Sequence, residues 1–255
     1  MIKCITFDVT NTLVYVASAG NVALHYSNVI RNRFEPNFLL DIESANKNFK
    51  KYFKYENEVN PGYGYSKGMQ SREWWSRIVK QVIKDNLEAK NTPNLFDSAK
   101  LDCISGAIYD EFKKEKYWQK YADCDFVLDE LKQTRGLKLG IVSNFDERLP
   151  EILKNLNLLS HFDFVCIPSN SNGFAKPSQK IFMSALHKSG CQNPEELLHV
   201  GDSFELDYTP ATALNFKSVL LKHLNGEKEK KDFLKKVPDR LLNQADFAFS
   251  LKDIV

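Results

Sequence analysis

The chain has 255 residues, 43% of them hydrophobic, with 35 lysines and arginines against 33 aspartates and glutamates. That apolar content can fill a core, and a net charge of +2 excludes both a charge-driven disordered chain and a general nucleic-acid binder. No apolar run reaches the ~18 residues of a bilayer span. The opening Met1-Ile2-Lys3-Cys4-Ile5-Thr6-Phe7-Asp8 meets an acid too soon for a signal peptide. Five scattered cysteines (Cys4, Cys103, Cys124, Cys166, Cys191) suit a reducing compartment and make neither a disulfide framework nor a zinc site. The expectation is a soluble, cytoplasmic globular protein without membrane or nucleic-acid partners. Its oligomeric state is not written in the sequence.

Ile2 to Phe7 reads as a short buried strand. From about residue 17 to 120 the chain reads as helices, with Trp75, Ile78, Val79 and Val82 on one amphipathic face. Pro61-Gly62-Tyr63-Gly64-Tyr65-Ser66-Lys67-Gly68 breaks that stretch in two. Beyond Asp125 short strands alternate with helices. Leu137–Val142, Phe162–Ile167, Leu197–Val200, Lys217–Leu221 and Phe247–Phe249 read as strands. A stripe of Leu149, Ile152, Leu153 and Leu156 marks one helix, and Ile181, Phe182, Ala185 and Leu186 another, ending at Gly190. Glu227 to Lys236 is a mixed charge run with a solvated face. Repeated βα units predict an α/β fold: a doubly wound parallel sheet with helices on both faces.

Ligands of such sheets bind beyond the carboxyl ends of the strands. The first strand ends in Asp8-Val9-Thr10-Asn11-Thr12 and the second in Ser143-Asn144; Lys176-Pro177 follows the third, and the fourth ends in Gly201-Asp202-Ser203 with Asp207 beyond. Two carboxylates, a hydroxyl and an ammonium on one rim suit phosphoryl transfer. Mg²⁺ takes one or two carboxylates plus water and phosphate oxygens. A carboxylate can attack phosphorus, while a lysine and a hydroxyl balance the equatorial oxygens.

The order Asp8-x-x-x-Thr12, Ser143, Lys176, Gly201-Asp202-x-x-x-x-Asp207 resembles the four motifs of the haloacid dehalogenase-like hydrolase superfamily, over essentially the whole chain. The resemblance implies a Rossmann-like core over 1–16 and 121–255, with an inserted α-helical cap over 17–120. It also implies Asp8 as nucleophile and Mg²⁺ ligand, the Thr10 carbonyl as a second ligand, and Asp202 as the third. Ser143 with Asn144 would bind the transferring phosphate of a small phosphorylated substrate, and Lys176 would hold Asp8 and phosphate together. Asp207 would support the metal's waters or Lys176, with a plain helix-start acid as its alternative.

One departure matters. Family phosphatases carry a second aspartate two residues after the nucleophile as general acid and base, and here that position is Thr10. A hydroxyl has no pKa near neutrality to replace that proton transfer. Pro210 and Asn215 also replace glycines that the family usually has after the fourth motif. The expected function is a Mg²⁺-dependent phosphatase, slow because of Thr10. The alternatives are a non-catalytic relative that binds a phosphorylated ligand or a protein, a dehalogenase, and a phosphonate hydrolase using Lys67. Tyr63, Tyr65 and Lys67 lie on the glycine-rich turn, as surface loop or as cap contributors to the site. Of Trp74 and Trp75, at least one serves packing. His25, His161, His187, His199 and His223 form no ligand spacing, and His199 reads as a core residue.

Overall fold

The computed structural model describes residues 1–17, 21–224, 226–235, 237 and 246–255. Residues 18–20 of the expected helical stretch and Lys236 at the end of the charge run lie outside them. The strands are β1 (Cys4–Phe7), β2 (Val14–Val16), β3 (Trp118–Lys120), β4 (Lys138–Val142), β5 (Phe164–Cys166), β6 (Leu197–Gly201), β7 (Lys217–Leu221) and β8 (Asp246–Ala248). Six of them form a parallel sheet in the order β5-β4-β1-β6-β7-β8. The sheet grows outward from β1 in both directions, so β1 lies between β4 and β6 and the strand order reverses there. This is the place where an open α/β sheet binds its ligand.

Helices α1 (Val22–Arg33), α2 (Ile42–Val59), α3 (Ser71–Ala89) and α4 (Ser98–Glu111) follow β2. Then come α5 (Cys124–Asp129), α6 (Leu149–Asn155), α7 (Gln179–Ser189), α8 (Thr209–Thr212) and α9 (Glu227–Leu234). The architecture is therefore an α/β sheet domain with a helical insert. Among the described residues no helix is long and apolar enough to cross a membrane.

The molecule divides into two compact units. The first comprises residues 1–15, 120–145 and 156–255. Its central strands are buried on both faces, as parallel strands covered by helices must be. Ile5 and Phe7 of β1 and Leu139, Ile141 and Val142 of β4 lie in the core. Gly140 of β4 pairs with Phe164 of β5, and a Cβ on it would stand 2.3 Å from the Phe164 ring. Glycine is what lets that ring lie across the strand.

The second unit comprises residues 16–119 together with 146–155, so the segment after β4 belongs to it along with the insert. Asn21, Asp41 and Asp97 cap α1, α2 and α4 by accepting from the amides of Leu24, Ser44 and Lys100. The expected stripe of α3 is buried at Ile78, Val79 and Val82, while Trp74 is fully buried and Trp75 half-buried. In the glycine-rich turn, Gly62, Tyr63 and Gly64 are all left-handed, with φ of 58°, 61° and 71°. Lys67 donates to the carbonyl of Val59 at 2.5 Å and to Asn60 Oδ1 at 3.2 Å, so its ammonium closes the end of α2.

Two charged clusters lie within this unit. Asp146, fully buried, accepts from Arg148 Nε at 2.8 Å and Nη2 at 2.5 Å and from the Trp75 indole at 2.6 Å. Arg148 also donates to the Tyr109 carbonyl and lies 3.8 Å over the Tyr109 ring. Beside it, Glu147 accepts from the hydroxyls of Tyr65, Ser71 and Tyr109. The second cluster surrounds Glu111, whose buried carboxylate meets Arg33 and Lys114 at 2.5 Å each and Lys116 at 3.2 Å.

Candidate active site

The first motif begins where β1 ends. Asp8 donates its amide to the Val200 carbonyl of β6 at 2.8 Å, which continues the sheet by one residue. The chain then turns tightly: the Val9 carbonyl accepts from the amides of Thr12, Leu13 and Val14. Asn11 takes a left-handed conformation with φ of 62°, which asparagine tolerates well. Thr10 is half-buried within this turn and forms an isolated bridge with Val14.

Ser143 follows β4 directly and is buried, its amide bonded to the Cys166 carbonyl at 3.0 Å. Asn144 turns its amide group onto the backbone of Lys176: Oδ1 accepts from the Lys176 amide at 2.6 Å, and Nδ2 donates to the Lys176 carbonyl at 2.8 Å. This use of Asn144 was not foreseen from the sequence, which placed it beside the phosphate. The pairing fixes the origin of a side chain whose ammonium is itself buried. Lys176 Nζ lies 2.8 Å from Asp8 Oδ1 and 2.5 Å from Asp207 Oδ1. Burial pulls the ammonium's pKa down, but the two carboxylates outweigh it, and the lysine ends above its ordinary value.

The fourth motif is shaped by a close approach. A Cβ on Gly201 would lie 2.2 Å from Asp207 Cγ, so only glycine lets Asp207 fold back against β6. Ser203 and Asp207 both cap the wide helical turn Phe204–Tyr208. Ser203 Oγ accepts from the Leu206 amide at 3.1 Å, and Asp207 Oδ2 accepts from the Ser203 amide at 3.0 Å. Of the replaced glycines, Asn215 takes φ of 61°, and Pro210 is buried in α8, which runs on directly from the wide turn Phe204–Tyr208.

Oxygens of Asp8, Asp202 and Asp207 all lie within 4.8 Å of one another. Burial first, and Asp8 second, push the Asp202 carboxyl up to about 6. Asp207 moves the other way: burial opposes its charge, but Lys176 and His199 hold it well below the usual carboxylate range. Asp8 and Asp202 thus crowd negative charge into a partly dry place, opposed by Lys222 and Lys176. A hard divalent cation with oxygen ligands fits that donor set.

The sequence brought Asp8, Lys176, Asp202 and Asp207 to one rim, and the structure joins them there. His199 is the residue that sequence reasoning undervalued. It is fully buried, as expected of a core residue, but its ring bonds Asp207 Oδ1 through Nε2 at 3.0 Å. The available signal was its place in the strand that ends at Asp202.

Residues 2–215 match the haloacid dehalogenase-like hydrolase family. The chain is 32% identical to haloacid dehalogenase-like hydrolase domain-containing protein 3 of Mus musculus, over 86% of this chain and 81% of the relative. The combination of Gly62-Tyr63-Gly64, Trp74-Trp75, Ser143-Asn144-Phe145-Asp146 and His161-Phe162-Asp163-Phe164-Val165 resembles the same protein. Among solved structures, YfnB from Bacillus subtilis, bound to magnesium, has a TM-score of 0.63 at 15% identity, covering 99% of this chain and 96% of that one. L-2-haloacid dehalogenase from Xanthobacter autotrophicus has a TM-score of 0.62 at 18% identity, covering 100% and 97%. At those identities the likeness is one of fold. With the family match spanning most of its length, the chain belongs to the haloacid dehalogenase-like hydrolases.

Proposed function

We propose that this hydrolase is a Mg²⁺-dependent phosphatase of small phosphorylated molecules, working through an aspartyl-phosphate on Asp8. The observation that carries the reading is the buried Lys176 ammonium shared between Asp8 and Asp207, with the Asp202 carboxylate beside them. An attacking carboxylate next to a second carboxylate needs a cation between them, which disfavours dehalogenation through Asp8 alone. Asp8, the Thr10 carbonyl and Asp202 would hold Mg²⁺, which when bound offsets charge on the phosphoryl oxygens.

A carboxylate oxygen of Asp8 attacks phosphorus, and the ester bond breaks with its electron pair leaving on the departing oxygen. Lys176 and the Ser143 hydroxyl stabilise the equatorial oxygens during this displacement. Water then attacks phosphorus, the acyl-phosphate bond breaks, and Asp8 is restored with inorganic phosphate released. Thr10 offers the departing oxygen no proton. Aryl phosphates, acyl phosphates and anhydrides depart as stable anions and lose little, whereas alkyl phosphates lose a proton transfer worth about 10²–10⁴ in rate.

Thr10 also favours a second reading, a non-catalytic relative that binds a phosphorylated ligand or a protein. Turnover of a panel of aryl and alkyl phosphates with and without Mg²⁺ separates the two. A catalytic protein hydrolyses aryl esters with Mg²⁺, loses that activity in Asp8→Asn, and gains more on alkyl than aryl esters in Thr10→Asp. Retained phosphate binding with no turnover of any ester assigns the binding role instead. Efficient wild-type hydrolysis of an alkyl phosphate, with no gain from Thr10→Asp, overturns the leaving-group argument.

A further inference from the structure

Four residues beneath Asp8 form a chain of contacts. Thr6 of β1 and His199 of β6 are register partners in the sheet, and both are fully buried. Thr6 Oγ1 lies 3.0 Å from His199 Nδ1, and His199 Nε2 lies 3.0 Å from Asp207 Oδ1. The Phe182 ring meets the imidazole edge-on at 5.1 Å and closes its remaining side. Both ring nitrogens are therefore engaged.

Asp207 as a carboxylate can only accept, so Nε2 carries a proton whatever the charge of the ring. In the neutral ring Nδ1 accepts from the Thr6 hydroxyl, which fixes both the tautomer and the orientation of the imidazole. Asp207 Oδ1 thus receives two donors, His199 Nε2 and Lys176 Nζ, while Oδ2 receives the Ser203 amide.

The consequence falls on Lys176. Its ammonium is divided between Asp207 at 2.5 Å and the Asp8 nucleophile at 2.8 Å. With Lys176 as its sole side-chain donor, a buried Asp207 would draw the ammonium away from Asp8, because an uncompensated buried carboxylate is costly. The imidazole N–H satisfies part of that demand. It leaves the ammonium bridging both acids.

We propose that His199, oriented by Thr6, is a positioning residue that holds Asp207 and thereby sets Lys176 against Asp8. Its consequence for turnover rests on the phosphatase reading above; the positioning itself does not. His199→Phe keeps the ring volume against Phe182 but removes both nitrogens, His199→Gln returns an N–H donor, and Thr6→Val removes only the orienting hydroxyl.

The test is steady-state hydrolysis of p-nitrophenyl phosphate with Mg²⁺, alongside thermal melts and ¹⁵N NMR of the Lys176 ammonium and the His199 ring in the metal-free protein. His199→Phe should lower kcat about 10–100-fold with KM within about twofold, and His199→Gln should recover about tenfold or more of that loss. Thr6→Val should fall between wild type and His199→Phe. In the NMR arm the wild-type ring is protonated at Nε2, and the Lys176 resonance shifts in His199→Phe and returns toward wild type in His199→Gln. An unchanged Lys176 resonance in a folded His199→Phe protein overturns the proposal, as does a wild-type kcat in that variant. Equal losses in His199→Phe and His199→Gln that follow melting temperature also overturn it, by assigning His199 to packing. If the wild type hydrolyses no ester, the phosphatase reading has failed, and the NMR arm still decides the positioning role.

Discussion

Asn144 holds Lys176 by both ends of its amide, accepting from the lysine's backbone N–H at 2.6 Å and donating to its carbonyl at 2.8 Å. The pair couples the end of β4 to the loop before α7. The long, flexible side chain of Lys176 therefore starts from a fixed point and ends between two carboxylates. Replacing Asn144 with Ala frees the starting point without disturbing the core. We expect a kcat loss of about 10–100-fold on an aryl phosphate with secondary structure unchanged, read by steady-state kinetics and circular dichroism. Asn144→Ala at wild-type kcat would show that the lysine is held by its ammonium alone.

Gly201→Ala tests the close approach in the fourth motif. The new Cβ would meet Asp207 Cγ at 2.2 Å, so Asp207 must leave its place against β6. The expected cost is about 1–3 kcal/mol of stability by urea denaturation, together with loss of activity. A variant that melts and turns over like wild type would rule out that contact.

Divalent cations should stabilise the first unit. Asp8 and Asp202 repel one another in a partly buried place, and a bound cation relieves the repulsion while binding only the folded state. Millimolar Mg²⁺ should raise the melting temperature of the wild type by a few degrees and leave Asp202→Asn unmoved. Equal shifts in both proteins would place the cation elsewhere.

The buried Asp146–Arg148 pair predicts an asymmetric mutational response. Arg148→Met takes the guanidinium partner from a fully buried carboxylate, leaving it the Trp75 indole and the backbone amide at 148, and should cost about 3–5 kcal/mol, whereas the double variant Asp146→Asn, Arg148→Met should recover part of that loss. Urea denaturation of the single and double variants measures the coupling. Additive losses would mean that the pair does not interact energetically.

Glu111 supplies a pH signature. Burial opposes its charge, but Lys114, Lys116 and Arg33 outweigh that penalty and hold the carboxyl at about 2, below the ordinary 4.5. A folded-state value below the unfolded one gives stability that is fully present above about pH 4.5 and is lost as pH falls toward 2. Because the three cations are about 47–63% exposed, the contribution is about 1–2 kcal/mol. Glu111→Gln should be less stable than wild type by that amount at pH 7, with the difference shrinking by pH 3. A pH-independent difference would mean that the charge of Glu111 is not what stabilises.

Much of the sheet was legible because its strands are short apolar runs that end in polar chemistry. Asp8, Ser143 and Asp202 each stand directly after a strand, and a parallel sheet brings such ends together. Other features depend on partners far away in the chain. His199 reads as an ordinary core residue until the sheet register sets it opposite Thr6, 193 residues earlier. Lys67 looked available for chemistry, and only the fold shows it closing the end of α2. The amide of Asn144 reaches a backbone 32 residues on, which no local pattern announces.

The assignment of residues 146–155 to the second unit has a consequence for dissecting the molecule. A fragment cut at the ends of the insert, residues 16–119, would lack the ten residues that supply Asp146, Glu147 and Arg148. Trp75 would lose the acceptor of its indole N–H, and the hydroxyls of Tyr65, Ser71 and Tyr109 would lose their shared carboxylate. The insert is thus not a transplantable cassette. Exchange between relatives would have to carry the segment after β4 along with it, and a chimera that moves one without the other should misfold at that seam.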